Sequence, residues 1–280
     1  MKLTKFASLS GPDDISKLTT WARGRPIYCQ PKHHGIFAEY IPGMGLFTRQ
    51  GKKWNLSRFP DGFQTYLAKY KDHVLHGELV IPNVPFPEAA GALSVVSDIT
   101  IPPTIQYKLF DAIHLNSSDI TPFGARLAIL SQFTDVYHIN VTTTTVVYTA
   151  DAADRYYHSC IEKKYEGCVY RVDPCFWDIA YWDRSNPDAV KRKLLHSDEG
   201  ECVGVEEGAG KRKGMLGSLT VKLDNNQYVK LGGGAGMTDE LLTKLWNRPP
   251  FGKSVTFTYE EMSENGIPLR PQFVSIRDYE

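Results

Sequence analysis

From Ile27 onward the apolar residues come in short runs rich in β-branched and aromatic side chains, each closed by Pro, Gly or a polar turn, which confines most of the backbone to short strands. The spacing predicts strands over 27–30, 36–41, 45–49, 74–81 and 107–115, helical stretches over 123–133 and 150–164, and strands again over 166–172 and 190–195. A first helix is predicted over 12–22, with Pro12 as an early helical residue and Asp13 and Asp14 where the helix dipole favours negative charge. This mixture predicts an α+β domain built on antiparallel sheets.

The pattern changes near Ser197-Asp198-Glu199-Gly200. Beyond it strands are predicted over 201–206, 217–223, 228–231, 254–259 and 272–277, and Asn225-Asn226 turns the second into the third. Thr238 is placed to cap a helix that runs to Trp246, with Asp239 and Glu240 in its first turn. Five strands with a helix between the third and fourth is the pattern of an OB barrel, a fold that commonly binds nucleic acid. The expected domains are therefore residues 1–197 and 198–280.

An apolar content of 42% builds a core in either domain and excludes disorder as the main state. Lys+Arg (32) equals Asp+Glu (32), so the whole molecule has no general attraction for nucleic acid, and any binding must come from local clusters. Lys52-Lys53, Lys191-Arg192-Lys193 and Lys211-Arg212-Lys213 are such clusters. Exposed charges further apart than roughly 8 Å are largely screened at physiological salt, so each can act on a phosphate backbone despite the neutral total. The opening Met1-Lys2-Leu3-Thr4-Lys5-Phe6 leads into polar sequence with neither a signal peptide's apolar core nor a membrane-spanning run, so the expected location is cytoplasmic. Five cysteines without C-x-x-C spacing read as reduced thiols. Of His33, His34, His73 and His76, only His73-x-x-His76 has even loosely metal-like spacing, and it falls in a predicted strand, which disfavours zinc.

A primary amine that attacks a phosphoanhydride needs desolvation or cationic neighbours, a metal to neutralise phosphate charge, and carboxylates to hold that metal. The chain supplies these in order. Lys32 stands in Pro31-Lys32-His33-His34-Gly35, where a turn closed by Gly35 presents the amine, and Arg49 follows in Thr48-Arg49-Gln50-Gly51. Then come Glu78 in His76-Gly77-Glu78-Leu79, Phe110-Asp111, Glu166 in Glu166-Gly167-Cys168-Val169, and Lys191-x-Lys193. Each pattern alone is an ordinary turn or strand entry. In this order, ahead of an OB-like domain, they resemble the covalent nucleotidyltransferase superfamily of DNA ligases, RNA ligases and mRNA capping enzymes, over nearly the whole chain from Tyr28 to Arg277. The last third is most similar to the OB domain of minimal viral and bacterial ATP-dependent DNA ligases. Gly214-Met215-Leu216-Gly217-Ser218-Leu219, residues 232–240 and residues 259–277 carry that likeness, and nothing before the first domain looks like a separate DNA-encircling domain.

The resemblance implies an antiparallel-sheet adenylation domain (1–197) followed by a five-stranded OB-fold barrel. It implies a DNA ligase that uses ATP and Mg²⁺, with Mn²⁺ able to substitute, and acts as a monomer on nicked duplex DNA in the cytoplasm of a bacterial or virus-infected cell, without a membrane. Lys32 would carry AMP, Arg49 contact the ribose or nick phosphate, and Glu78 the ribose and metal. Phe110 would stack on adenine, Glu166 help hold Mg²⁺, and Lys191 and Lys193 bind the α-phosphate. Gln30 stands where many relatives carry an adenine-contacting acid, and Lys52, Lys53, Lys211, Arg212 and Lys213 would meet DNA. Four departures bear on substrate preference: His34 where DNA ligases usually have Asp, no Arg in Gly35-Ile36-Phe37-Ala38, Arg171 for a common Lys, and Arg277-Asp278-Tyr279-Glu280 without a final Lys. His34 points to the alternative of an RNA ligase or capping-type enzyme, since some RNA ligases carry His there. A second alternative is a nucleic-acid-binding protein that has lost the chemistry; the joint presence of Lys32, Glu78, Glu166, Lys191 and Lys193 argues against it.

Overall fold

Short strands can bury their apolar faces only by pairing and stacking, and the chain does so in two units, residues 1–193 and 194–280. The computed structural model describes residues 5–9, 14–117, 121–175, 185–234 and 237–277. The first unit runs β1 (Lys5–Leu9), α1 (Asp14–Ala22), β2 (Ile27–Lys32), β3 (Ile36–Ile41), β4 (Gly45–Thr48), α2 (Phe63–Ala68), β5 (His73–Val80) and α3 (Phe86–Ala92). It continues through β6 (Gln106–His114), α4 (Phe123–Leu130), β7 (Ile139–Val141), β8 (Thr145–Val147), α5 (Ala150–Glu162), β9 (Gly167–Val172) and β10 (Ser185–Lys193). The predicted first helix is present from Asp14; Pro12 and Asp13 lie outside the described residues.

Two five-stranded sheets result, in the orders β1-β10-β9-β2-β8 and β4-β3-β5-β6-β7. Pairing is antiparallel except between β1 and β10 and between β6 and β7. Helix α5 covers the first sheet: Thr149 Oγ1 caps it by accepting from the Ala152 amide at 3.2 Å, and Ala150, Ala153, Tyr157 and Cys160 form a buried stripe at helical spacing. That stripe packs with Leu18 and Ala22 of α1 and with Ile27, Cys29, Tyr170 and Val172 of the sheet. The second sheet has its own core, in which Trp54, Phe59, Phe63 and Leu67 meet Leu75, Leu79, Tyr107 and Leu109. The chain passes between the sheets at His33-His34-Gly35, directly after β2.

The second unit comprises β11 (His196–Glu207), β12 (Leu216–Lys222), β13 (Tyr228–Leu231), α6 (Asp239–Asn247), β14 (Ser254–Tyr259), a small hairpin of β15 (Glu261–Met262) and β16 (Pro268–Leu269), and β17 (Gln272–Arg277). The predicted strand over 201–206 is longer than expected, because β11 pairs with β14 along its first half and with β12 along its second. The sheet order is β13-β12-β11-β14-β17. The Phe273 amide of β17 donates to the Gly233 carbonyl just after β13 at 2.9 Å, which joins the two edges as a five-stranded barrel requires. Ala235 and Gly236 lie outside the described residues. Asn226 takes a left-handed φ of 63° in the β12–β13 turn, and Thr238 Oγ1 accepts from the Leu241 amide at 3.3 Å to cap α6. Leu242 and Leu245 of that helix, with Leu219, Val221, Val255 and Phe257, fill the barrel core.

Candidate active site

Lys32 is the last residue of β2 rather than a residue just beyond it. The register pairs Lys32 with Gly167 on β9, and Gly167 with Lys193 on β10, so two lysines distant in sequence flank one glycine in neighbouring strands. Glu166 precedes that glycine and bridges them: Lys32 Nζ lies 2.5 Å from its Oε2 and Lys193 Nζ 2.6 Å from its Oε1. Burial by itself would raise the Glu166 carboxyl, but the two ammonium groups outweigh it and hold the group below the usual carboxylate range. Gly167 is demanded by this packing: its φ is 149°, and a Cβ there would sit 2.0 Å from the Arg192 carbonyl.

Above this bridge a cavity of about 550 Å³ opens between the two sheets of the first unit. It brings together Gln30, Lys32, Gly35, Arg49, Lys52, Glu78, Phe110, Lys191 and Lys193, all expected at the site. It also gathers His33, Phe37, Trp54, Leu93, Ser94, Val95 and Arg171, for which local sequence carried no signal beyond the noted Arg171. Gly35 lies so close to β5 that a Cβ would meet the Leu79 carbonyl at 2.4 Å, which explains a glycine at the strand-to-strand passage. Thr48 Oγ1 accepts from the amides of Gln50 and Lys52, forming the tight turn that carries Arg49 to the rim, where its guanidinium lies 5.2 Å from the Phe37 ring centroid. Phe110 reaches the cavity through a β-bulge: His76 pairs with Asp111 and Gly77 with Leu109, so Phe110 is the extra residue of β6. Bulges re-aim side chains in this way beside functional sites.

Behind the cavity runs a buried polar chain. Arg126 grips Asp111 with two hydrogen bonds, of 2.9 and 3.0 Å. Burial would raise the Asp111 carboxyl, but Arg126, with Arg171 and His76 nearby, holds it below its ordinary value. Arg171 Nη1 donates to Gln30 Oε1. On the cavity side Glu78 is only half-buried by surface area, yet protein surrounds its carboxyl closely enough that burial pushes its pKa up to about 7, against the opposing pull of Lys32 and Arg49. His33, facing Thr142 Oγ1 at 3.1 Å, is held down to about 4 by burial and by the charges of Lys108 and Lys32, so it is neutral near pH 7.

Residues 10–192 match the ATP dependent DNA ligase domain, and residues 207–277 match the DNA ligase OB-like domain. The chain belongs to the ATP-dependent DNA ligase family. This ligase is thus an enzyme of nick sealing that uses ATP and a divalent metal. Its fold is that of a Lig E DNA ligase, with a TM-score of 0.74 and 21% identity over 99% of both chains. It is also similar to Chlorella virus DNA ligase-adenylate (TM-score 0.54, 17% identity, 100% of this chain and 99% of that one). The ATP-dependent DNA ligase of bacteriophage T7, in complex with ATP, follows (TM-score 0.50, 16% identity, 99% of this chain and 98% of that one). No curated protein matches the chain in sequence.

Other residues singled out in the sequence lie outside the cavity of the ligase. Lys53 turns away from the cavity onto the Phe47 ring, at 5.9 Å from its centroid. Arg192, between two cavity lysines, points to the other face of its strand, where it pairs with Asp154 at 2.5 Å and lies over Tyr157. His34 stacks on Phe86 with centroids 4.4 Å apart and is not part of the cavity wall. Lys211, Arg212 and Lys213 are exposed on the β11–β12 connection of the second unit. His73 stands edge-on to His114, while His76, three residues along β5 and so on the other face, lies 2.8 Å from Glu39 Oε1. Among the described residues no group of three or more His, Cys, Asp or Glu is arranged around a metal, and no helix is long and apolar enough to cross a membrane. Glu78 is the carboxylate in the cavity wall, whereas Glu166 sits behind the two lysines. One or two carboxylates suffice for a hard divalent cation whose shell is completed by phosphate oxygens and water, and this donor set fits such an ion.

Proposed function

We propose that Lys32 is the nucleophile of three-step nick sealing, on the strength of one observation: its Nζ stands in a cavity wall of nucleotide size, tied through Glu166 to a second cavity lysine, Lys193. Lys32 Nζ, its first proton given up to solvent, attacks the α-phosphorus of ATP; the P–N bond forms, the bond to the bridging oxygen breaks, pyrophosphate leaves with the electron pair, and the nitrogen sheds its second proton to solvent. The 5′-phosphate at a nick then attacks the same phosphorus and releases the lysine. Finally the 3′-hydroxyl attacks the 5′-phosphate, loses its proton and expels AMP.

In this reading Glu166 holds Lys32 in place until the α-phosphate draws Lys191 and Lys193 toward itself. Glu78 and Arg49 meet the ribose and the incoming phosphates, Phe110 and Phe37 wall the base, and Gln30 lies at its far edge. Glu78 would hold Mg²⁺, or Mn²⁺ in its place, with Glu166 as a second carboxylate were one of its lysines to move, and the ion would supply neutralisation of phosphate charge. Lys52 and the Lys211-Arg212-Lys213 cluster take phosphates of nicked duplex DNA; residues 198–280 act as the OB-fold DNA-gripping domain and residues 1–197 as the adenylation domain. The enzyme works as a cytoplasmic monomer. DNA rather than RNA is the favoured nicked strand, because His34 is stacked on Phe86 outside the cavity and so does not mark the site as RNA-specific.

The test is ATP- and metal-dependent sealing of a 5′-phosphorylated nick, run on all-DNA duplex and on duplex with an RNA nicked strand. Faster sealing of DNA is expected, and Lys32→Ala should abolish lysyl-AMP. Substantial labelling of the Lys32→Ala protein would sink the assignment, and preference for the RNA nick would move the substrate.

A further inference from the structure

Gln30 lies at the cavity floor, 1% exposed, and all but one of its amide's hydrogen-bonding positions are committed. Its Nε2 donates to the Phe110 carbonyl at 3.0 Å and to Thr144 Oγ1 at 2.9 Å, which uses both hydrogens of that nitrogen. Its Oε1 accepts from Arg171, leaving one lone pair. Turning the amide over would set its NH₂ against the guanidinium and its oxygen against the Phe110 carbonyl, so the orientation is fixed. Arg171 is itself immobilised: it is 2% exposed, on the central strand β9, with its guanidinium carbon 4.5 Å from the Phe123 ring centroid and 5.7 Å from that of Phe110.

We propose that Arg171 is a positioning residue for nucleotide choice: by locking Gln30 so that only an acceptor remains, it makes the cavity floor accept an exocyclic amine and reject a carbonyl. Adenine carries the amine at the position where guanine carries the carbonyl. An unrestrained glutamine discriminates poorly, since it can present either its oxygen or its NH₂. The inference rests on the reading above that the cavity holds the nucleotide beside Lys32.

Dissociation constants for ATP and GTP, measured by calorimetry on the Lys32→Ala protein where no covalent step can occur, read the preference directly. ATP should bind at least about tenfold more tightly than GTP. Adding Arg171→Met should shrink that ratio by about tenfold or to near unity, whereas adding Arg171→Met to a protein that already carries Gln30→Met should leave the ratio as Gln30→Met alone sets it, because Arg171 acts only through Gln30. A ratio unmoved by Arg171→Met, or one that Arg171→Met shrinks further in the Gln30→Met background, overturns the proposal. Should Arg171→Met show no melting transition, Gln30→Met in the Lys32→Ala protein carries the test: retained ATP preference overturns the role and lost preference supports it. The wild-type protein incubated with labelled ATP or GTP separates the two levels of argument. No label on Lys32 from either nucleotide defeats the reading of the cavity, whereas equal labelling from both defeats only the role of Arg171.

Discussion

Two carboxylates that both feel the charge of Lys32 are driven in opposite directions, and the difference has consequences for stability. Glu166 is bridged by Lys32 and Lys193 and stays ionised; Glu78, surrounded by protein without a partner of that closeness, is pushed up to about 7. Because its folded-state value exceeds its ordinary one, Glu78 contributes stability that is present below pH 4.5 and lost as pH rises through about 7. The Glu78→Gln protein should therefore melt higher than wild type at pH 8, by about 1–3 kcal/mol at that pH, and match it at pH 4. Thermal melting across that range checks it, and an advantage that grows toward acid would contradict the sign. The buried Asp111–Arg126 pair makes a second residue-scale prediction. Arg126→Met leaves a carboxylate buried without its two-pronged partner and should cost about 3–5 kcal/mol in chemical denaturation, much of it recovered by Asp111→Leu in the same chain.

At the scale of elements, register decides what the site contains. Lys32, Gly167 and Lys193 meet because β2, β9 and β10 are adjacent and aligned, and Glu166 bridges the lysines because it enters β9 at that row. Gly167→Ala should displace β9 from β10, with a loss of about 2–4 kcal/mol and a parallel fall in lysyl-AMP formation. Denaturant unfolding and a labelled-ATP assay check the pair of effects, and a variant with unchanged stability would show that the row tolerates a side chain. Most of the strands around the site are visible in the sequence because alternating and β-branched runs are local signals. Helix α2 after Pro60-Asp61-Gly62 and helix α3 begun at Phe86-Pro87 are not, since pieces of six and seven residues carry too little periodicity. Nor is β1, whose partner β10 lies nearly the whole first unit away in sequence.

At the scale of the whole molecule, a net charge of zero leaves DNA affinity to local clusters. Replacing Lys211, Arg212 and Lys213 together with alanine should weaken nick binding at low salt and flatten the slope of log affinity against log salt by about 2–3, with lysyl-AMP formation retained. Binding titrations at several salt concentrations measure it, and an unchanged slope would remove the cluster from the DNA interface. Removal of residues 198–280 should lower nick binding and sealing more than lysyl-AMP formation, read by gel shift and labelled ATP on the same preparation.

The division of labour between chain and fold follows from the range of the interactions. Lys32, Arg49, Glu78, Phe110, Glu166, Lys191 and Lys193 could be named from the sequence because each sits in a short pattern whose turn or strand chemistry is local, and their order pointed to the family and to an OB barrel behind it. The lock of Arg171 on Gln30, the bulge that turns Phe110 into the cavity and the wall of Leu93, Ser94 and Val95 could not be read in the same way, nor could the diversion of Lys53, Arg192 and His34. Those depend on which strands lie side by side and in what register, and that is decided only when the two sheets pack and desolvate the groups between them.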